Sequence, residues 1–241
     1  MDTIKIPNKN GCRMIAHRGV SGIELENTVA AFVAAGNRSY FGIETDVHVT
    51  KDGQYVICHD CDLKRVGGVE ISVEGSTLEE LRAVQLHDLR DGSVRSDMFV
   101  PLLSDYIKVC RKYDKVAVLE LKGDIVPEHI AGIASVVREL GWFENTIFIS
   151  FSYDNLLRLR AAEPEARAQL LPPENDPEKL LRFCLENRIG LDAPHSALTP
   201  EIVKTVHDAG LEVNCWTVDS VAAAERVIAM GVDYITSNIL E

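Results

Sequence analysis

The sequence predicts an α/β protein of the (β/α)8 TIM-barrel class, with a small insertion after the second strand. Three observations predict it. From residue 101 onward, short apolar runs alternate with amphipathic runs closed by glycine or proline. Such alternation implies parallel strands joined by right-handed crossovers. The 241 residues match the roughly 250 of an eight-unit barrel. A doubly wound open sheet would carry a glycine-rich phosphate turn after its first strand, and none follows Ala16.

In chain order, Met14–Ala16 is a short apolar strand running into His17, Arg18 and Gly19. Asn27 and Thr28 mark a helix start, Val29–Ala35 its body and Gly36 its stop. In Gly42–Val49, Ile43, Thr45, Val47 and Val49 share one face and Glu44, Asp46 and His48 the other. Two carboxylates two residues apart lie roughly 6.6 Å apart on one side of such a strand. Asp52-Gly53 is a strong hairpin signal. An even-length loop centred there sets His59 directly opposite Asp46, about 5 Å away. The stretch Cys61–Val100 is too long for an ordinary connection, and segments of that size usually serve function. It holds one helical piece, Thr77–Val84.

Then come a helix at Leu103–Tyr113, a strand at Val116–Lys122 and a helix at Pro127–Leu140. Thr146–Phe151 is a strand, Tyr153–Ala162 a helix and Arg167–Leu171 a strand ending at Pro172-Pro173. Pro177–Asn187 is a helix, Gly190–Ala193 a strand and Pro200–Ala209 a helix. Glu212–Thr217 is a strand, Val221–Met230 a helix and Tyr234–Ser237 the last strand. That gives eight barrel strands and about seven helices, the eighth being absent or very short. No composition shift marks a linker, so residues 1–241 read as one domain, with the insertion at about 61–100.

With 25 Lys and Arg against 37 Asp and Glu, the net charge is −12. That argues against nucleic-acid partners, which need a basic stripe, and against anionic membrane surfaces. No apolar run approaches the ~18 residues of a membrane helix, and the N-terminus lacks an apolar signal core. The six cysteines show no disulfide-framework spacing, so a reduced, cytoplasmic protein is expected. Cys58 and Cys61 form an isolated C-x-x-C without the second pair of a structural zinc site, and read as packing cysteines.

Barrel chemistry sits at the C-terminal ends of the strands, and the polar residues fall there. His17 and Arg18 end the first strand. Glu44 and Asp46 lie on the second, with His59 returning beside them. Glu120 and Lys122 end the third and point the same way; Ser150 ends the fourth and Trp216 the seventh. Three converging carboxylates repel, and one is pushed to a raised pKa unless a cation intervenes. Oxygen-only ligation suits Mg²⁺ or Ca²⁺ rather than zinc. Arg18 and Lys122 can donate to phosphate oxygens, and His17 and His59 can act as general acid and base. This is a constellation for phosphoryl transfer or phosphodiester cleavage. Taken singly, each histidine reads as structural, Glu44 and Asp46 as salt-bridged, and Lys122 as the partner of Glu120. Together those readings need five polar groups to reach one mouth by accident. His48 shares the face of Asp46 and is a lesser candidate for ligand contact. His87, His129 and His207 read as surface residues, and Glu24–Glu26 and Glu79-Glu80 as solvated faces.

The ordered motifs I-A-H-R-G, E-N-T-x-x-A-F, I-E-T-D-V-x-V-T-K-D-G-x-x-V-x-x-H-D, L-E-L-K and W-T-V-D span nearly the whole chain. Together they resemble the glycerophosphodiester phosphodiesterase family. The resemblance implies a (β/α)8 barrel with a small insertion after the second strand. It implies hydrolysis of glycerophosphodiesters, small-molecule substrates, to an alcohol and sn-glycerol 3-phosphate with a divalent cation, usually Mg²⁺ or Ca²⁺. By motif it implies His17 and His59 as acid and base and Glu44, Asp46 and Glu120 as metal ligands. Arg18 and Lys122 would hold the phosphate, and Trp216 would line the glycerol side. Leu25 stands where the family usually has proline, Pro101–Asp105 lacks the usual glutamate of P-x-L-x-E, and Arg65–Gly68 replaces R-T-T-G. None of these departures falls in the cluster. A lysophospholipase D-like enzyme would add an exposed apolar loop near the mouth, for which Met98–Val100 is the candidate. A non-catalytic phosphate-binding barrel would not need both histidines. A metal-dependent aldolase or isomerase would leave two histidines beside an Arg and a Lys unexplained.

Overall fold

The computed structural model describes residues 2–88, 91–172, 174 and 176–241; Pro173, expected to help end a strand, and residues 89 and 90 of the insertion lie outside them. In chain order the elements begin with β1 (Arg13–Ala16), α1 (Val29–Gly36), β2 (Gly42–Val49) and β3 (Tyr55–Ile57). The insertion carries α2 (Lys64–Gly67) and α3 (Leu78–Arg82). The regular half is α4 (Leu103–Lys112), β4 (Val116–Leu121), α5 (Pro127–Glu139), β5 (Thr146–Ser150), α6 (Tyr153–Ala162) and β6 (Arg167–Leu170). It closes with α7 (Pro177–Asn187), β7 (Gly190–Pro194), α8 (Pro200–Asp208), β8 (Val213–Trp216), α9 (Val221–Met230) and β9 (Tyr234–Ser237).

Eight strands, all but β3, pair in parallel in sequence order, and β9 returns to β1 to close the barrel. The short antiparallel β3 hangs on the edge of β2. Seven helices, α1 and α4–α9, alternate with the barrel strands among the described residues. Local chemistry explains several boundaries. The Thr28 hydroxyl accepts from the Ala31 N–H and caps α1, and Thr77 with Glu80 forms a capping box at α3. Pro127, Pro177 and Pro200 open α5, α7 and α8 where no N–H is needed. Gly231, at φ +89°, ends α9 in the left-handed region.

Strand alternation sorts the core into layers. Ile43, Val47, Leu119, Phe148 and Leu191 face outward and pack with Phe32, Tyr106 and Ile133 of the helix ring. Ile15, Val118, Ile147, Ile149 and Leu171 fill the barrel interior. The insertion has a small core of its own around Leu63, Val73, Leu81, Met98 and Val100.

The hairpin differs from expectation by one residue. Val47 pairs with Ile57, His48 with Val56 and Val49 with Tyr55, so the loop is residues 50–54 and odd in length. The Thr50 hydroxyl accepts from the Gln54 N–H and the Thr50 carbonyl from the Gly53 N–H, and Gly53 sits at φ +75°. A loop of this length supplies the αL position that Gly53 takes. Asp46 therefore lies against Cys58, whose N–H donates to the Asp46 carbonyl at 3.1 Å, and not against His59. His59 comes after β3 has ended.

Candidate active site

Each predicted group reaches the C-terminal mouth by a separate route. The chain leaves β1 through Arg18, at φ +53°, and Gly19, at φ +76°. A Cβ on Gly19 would lie 2.7 Å from Ala31, so α1 can approach only a glycine there. This turn aims the Arg18 N–H at Glu44 Oε2, 2.8 Å away. His17 Nδ1 lies 2.7 Å from Asn238 Oδ1, and the Asn238 amide donates to Asp219. Since that oxygen accepts, Nδ1 carries the proton and Nε2 is left bare. Nε2 sits 3.9 Å from Glu44.

Glu44, Asp46 and Glu120 each place an oxygen within 4.8 Å of the others, and all three are buried. Lys122 Nζ lies 2.9 Å from Glu120 and 3.4 Å from Asp46, while Arg18 Nε lies 3.7 Å from Asp46. Burial is the largest influence on every acid here. For Glu44, burial and the Asp46 charge outweigh Arg18 and hold it well above its usual range. Burial and Asp46 push Glu120 up to about 7. Asp46 escapes, because Lys122, Arg18 and His59 overcome its burial and hold it low. Asp46 Oδ1 is buried and, among the described residues, has no hydrogen bond, only the 3.4 Å ion pair to Lys122. Three acids against two bases, with one oxygen unsatisfied, fit a hard divalent cation; the donor set is all oxygen.

The mouth opens on a cavity of about 210 Å³. His17, Arg18, Glu44, His59 and Glu120 form one wall, and Ile149, Phe151, Leu171 and Trp216 the other. Asp46 and Lys122 do not line it. Trp216 donates its indole N–H to the Asp192 carbonyl at 3.1 Å and meets the Phe151 ring edge-on. Burial lowers the pKa of both histidines, with Arg18 adding to the effect; Asp46 opposes it at each.

Several residues that hold the site were not picked out in the sequence. Glu24–Glu26 is not a solvated face. Glu26 binds Arg18 at 2.8 Å and Arg65 at 2.8 Å, and Glu24 binds Arg95. Arg65, on α2, also donates from Nε to Asp60 at 2.7 Å, and Asp60 holds His59 Nδ1 at 2.7 Å. A continuous chain of charged contacts thus links His59, Asp60, Arg65, Glu26 and Arg18. Asn27 donates to Asp46 at 2.8 Å and accepts from Thr45. His48 faces Glu74 of the insertion at 3.2 Å rather than lining the cavity. The signal for Glu26 and Asn27 was their place beside Thr28 in a motif. Asp60 and Arg65 had only their nearness to His59.

A family model described as the glycerophosphoryl diester phosphodiesterase family matches residues 17–240. A glycerophosphodiester phosphodiesterase of Caldanaerobacter subterraneus subsp. tengcongensis is 30% identical over 227 residues, 93% of each chain. A lysophospholipase D of Rattus norvegicus is 49% identical over 61 residues, 25% of this chain and 19% of the relative. A solved Oleispira antarctica phosphodiesterase, in complex with the product sn-glycerol-3-phosphate, aligns with a TM-score of 0.81 at 24% identity, covering 94% of this chain and 93% of that one.

Proposed function

The chain belongs to the glycerophosphoryl diester phosphodiesterase family, and from that premise we propose that it cleaves glycerophosphodiesters with a divalent cation and two histidines. It is a phosphoric diester hydrolase of the (β/α)8 class. The observation that carries the reading is the meeting of Glu44, Asp46 and Glu120 within 4.8 Å, beside a cavity lined by His17, His59 and Arg18.

Glu44, Asp46 and Glu120 would hold Mg²⁺ or Ca²⁺. A cation bound there supplies positive charge against the charge that develops on the phosphoryl oxygens. Arg18 lines the cavity and donates to the phosphate, while Lys122 holds Glu120 and Asp46 in place and adds its charge from behind. His17 has a neutral amide behind it, so its bare Nε2 suits the role of base toward the attacking oxygen. His59 has the Asp60 carboxylate behind it, which stabilises its protonated form and suits the role of acid toward the leaving alkoxide. Trp216 lines the side that takes the glycerol. The product bound by the Oleispira antarctica relative supports a small-molecule substrate, and no helix of the described residues is long and apolar enough to cross a membrane.

The lysophospholipase D reading draws support from the local identity to the rat relative. The apolar loop it needs is not exposed, however: Met98 and Val100 are buried in the insertion core. The cavity is also smaller than the roughly 300–1,000 Å³ of clefts that enclose larger ligands.

The test is a panel of glycerophosphodiesters assayed after chelation, with and without Mg²⁺ or Ca²⁺, with the products identified. The expected result is metal-restored release of the alcohol and sn-glycerol 3-phosphate. Turnover that chelation leaves untouched would remove the metal from the mechanism.

A further inference from the structure

The apolar wall of the cavity contains one acid that the proposed mechanism does not use. Asp192 lies on β7, between Leu171 and Trp216 in strand order, and lines the cavity. It is 2% exposed, and its Oδ1 is buried with no hydrogen-bond partner among the described residues. It stands outside the acid cluster of Glu44, Asp46 and Glu120. Leaving a buried carboxyl oxygen unpaired is costly, and in a cavity wall a bound ligand can supply the missing partner.

We propose that Asp192 recognises the glycerol half of the substrate by hydrogen-bonding the hydroxyl remote from the phosphorus. The inference rests on the phosphodiesterase reading above and names which half of the diester the pocket selects. The phosphate belongs beside Arg18 on the polar wall, and the glycerol hydroxyl next to it stays on that side. The far hydroxyl extends across the cavity toward the other wall. There, Ile149, Phe151 and Leu171 offer it no polar partner, whereas Asp192 does. Its neighbour Thr236 also lines the cavity but shares its hydroxyl with Asn214 at 3.2 Å. Burial, and then the Glu120 charge, hold Asp192 well above the usual carboxylate range, with Asn214 acting against them. The carboxyl oxygen left unpaired there can accept a hydrogen bond from a neutral hydroxyl. The small volume leaves the other alcohol of the diester outside.

The experiment compares glycerophosphoethanolamine with its 1-deoxy analogue, in which propane-1,2-diol replaces glycerol. The analogue keeps the hydroxyl beside the phosphate and lacks only the remote one. Wild type should favour the glycerol substrate by about 10- to 100-fold in kcat/KM, the scale of one buried hydrogen bond to a polar or charged group. Asp192→Ala should abolish that preference by lowering the rate on the glycerol substrate alone. Asp192→Asn, which keeps a donor and an acceptor, should retain most of it. Thermal unfolding checks that both variants remain folded. An equal loss on both substrates would assign Asp192 a purely structural role and overturn the proposal. So would a wild-type enzyme indifferent to the missing hydroxyl, a result that needs no variant to fold. Wild type that cleaves neither diester, with metal present, would instead sink the phosphodiesterase reading itself.

Discussion

The two ends of the barrel both gather charge, but they settle it differently. At the N-terminal floor, Arg167 meets Glu212 at 3.0 Å and the Tyr234 hydroxyl at 3.0 Å, and Arg13 lies over Phe41. The Glu212 side chain is 42% exposed, so water screens whatever the pairs leave over. A cavity of about 580 Å³, the larger of the two, opens there, yet no histidine lines it. At the C-terminal mouth, Glu44, Asp46 and Glu120 are buried against the charges of Arg18 and Lys122, and Arg18 is shared with Glu26. The floor is self-sufficient. The mouth carries an excess of buried negative charge that its own residues do not neutralise. Size of cavity is therefore a poor guide to the site, and uncompensated charge a good one.

The strongest way to break this contrast is to remove chemistry from each end. His17→Ala and His59→Ala should each lower kcat by about 10²–10⁴-fold, the usual worth of a general acid or base. Glu212→Gln at the floor should leave kcat within about 2-fold, since exposed pairs contribute little. Circular dichroism checks that all three remain folded. A floor variant as damaged as the histidine variants would erase the distinction.

A smaller effect is expected where the mouth is braced. Arg65→Ala breaks both the Asp60 and the Glu26 contacts, so kcat should fall about 10- to 100-fold, the range for charge-assisted hydrogen bonds. The pH–rate profile should shift as well, because Asp60 loses its clamp and no longer fixes His59. A merely structural arginine would lower stability without moving the profile.

The smallest effect is on stability. In metal-free protein at pH 7, Glu44→Gln should raise stability by about 1–3 kcal/mol, because an amide replaces a buried acid whose ionisation is opposed. Glu212→Gln should lower it by about 0–1 kcal/mol. Thermal unfolding of both variants reads the opposite signs.

Much of this was legible in the sequence because it is written in local periodicity. The bounds of α6, α7, α9 and β9 agree with the expectation to the residue, since proline, glycine and alternation mark them. The mouth was legible because barrel strands put alternate residues inward, which sends Glu44, Asp46 and Glu120 to one place. The hairpin slipped by one residue because Asp52-Gly53 fits both a two-residue turn and the αL corner of a longer loop. The Glu26–Arg65–Asp60 chain was hidden because Glu26 and Arg65 are 39 residues apart and meet only through the folded insertion. Asp192 could have been found: alternation in Gly190–Pro194 turns it inward, where a barrel normally keeps apolar side chains.

The most direct test concerns the excess charge. Metal-free wild type and the Glu44→Gln/Glu120→Gln variant are unfolded thermally between pH 4.5 and 7.5. Glu120 is raised from 4.5 to about 7 in the folded protein. The stability it contributes is therefore present in full below pH 4.5 and lost as the pH climbs through 7. His17 and His59, held low, act in the opposite direction in the same window, so the difference between the two proteins is the quantity to read. Wild type should lose ground to the variant as pH rises, and Mg²⁺ or Ca²⁺ should restore wild type alone. A difference that is flat with pH and indifferent to either cation would contradict the account.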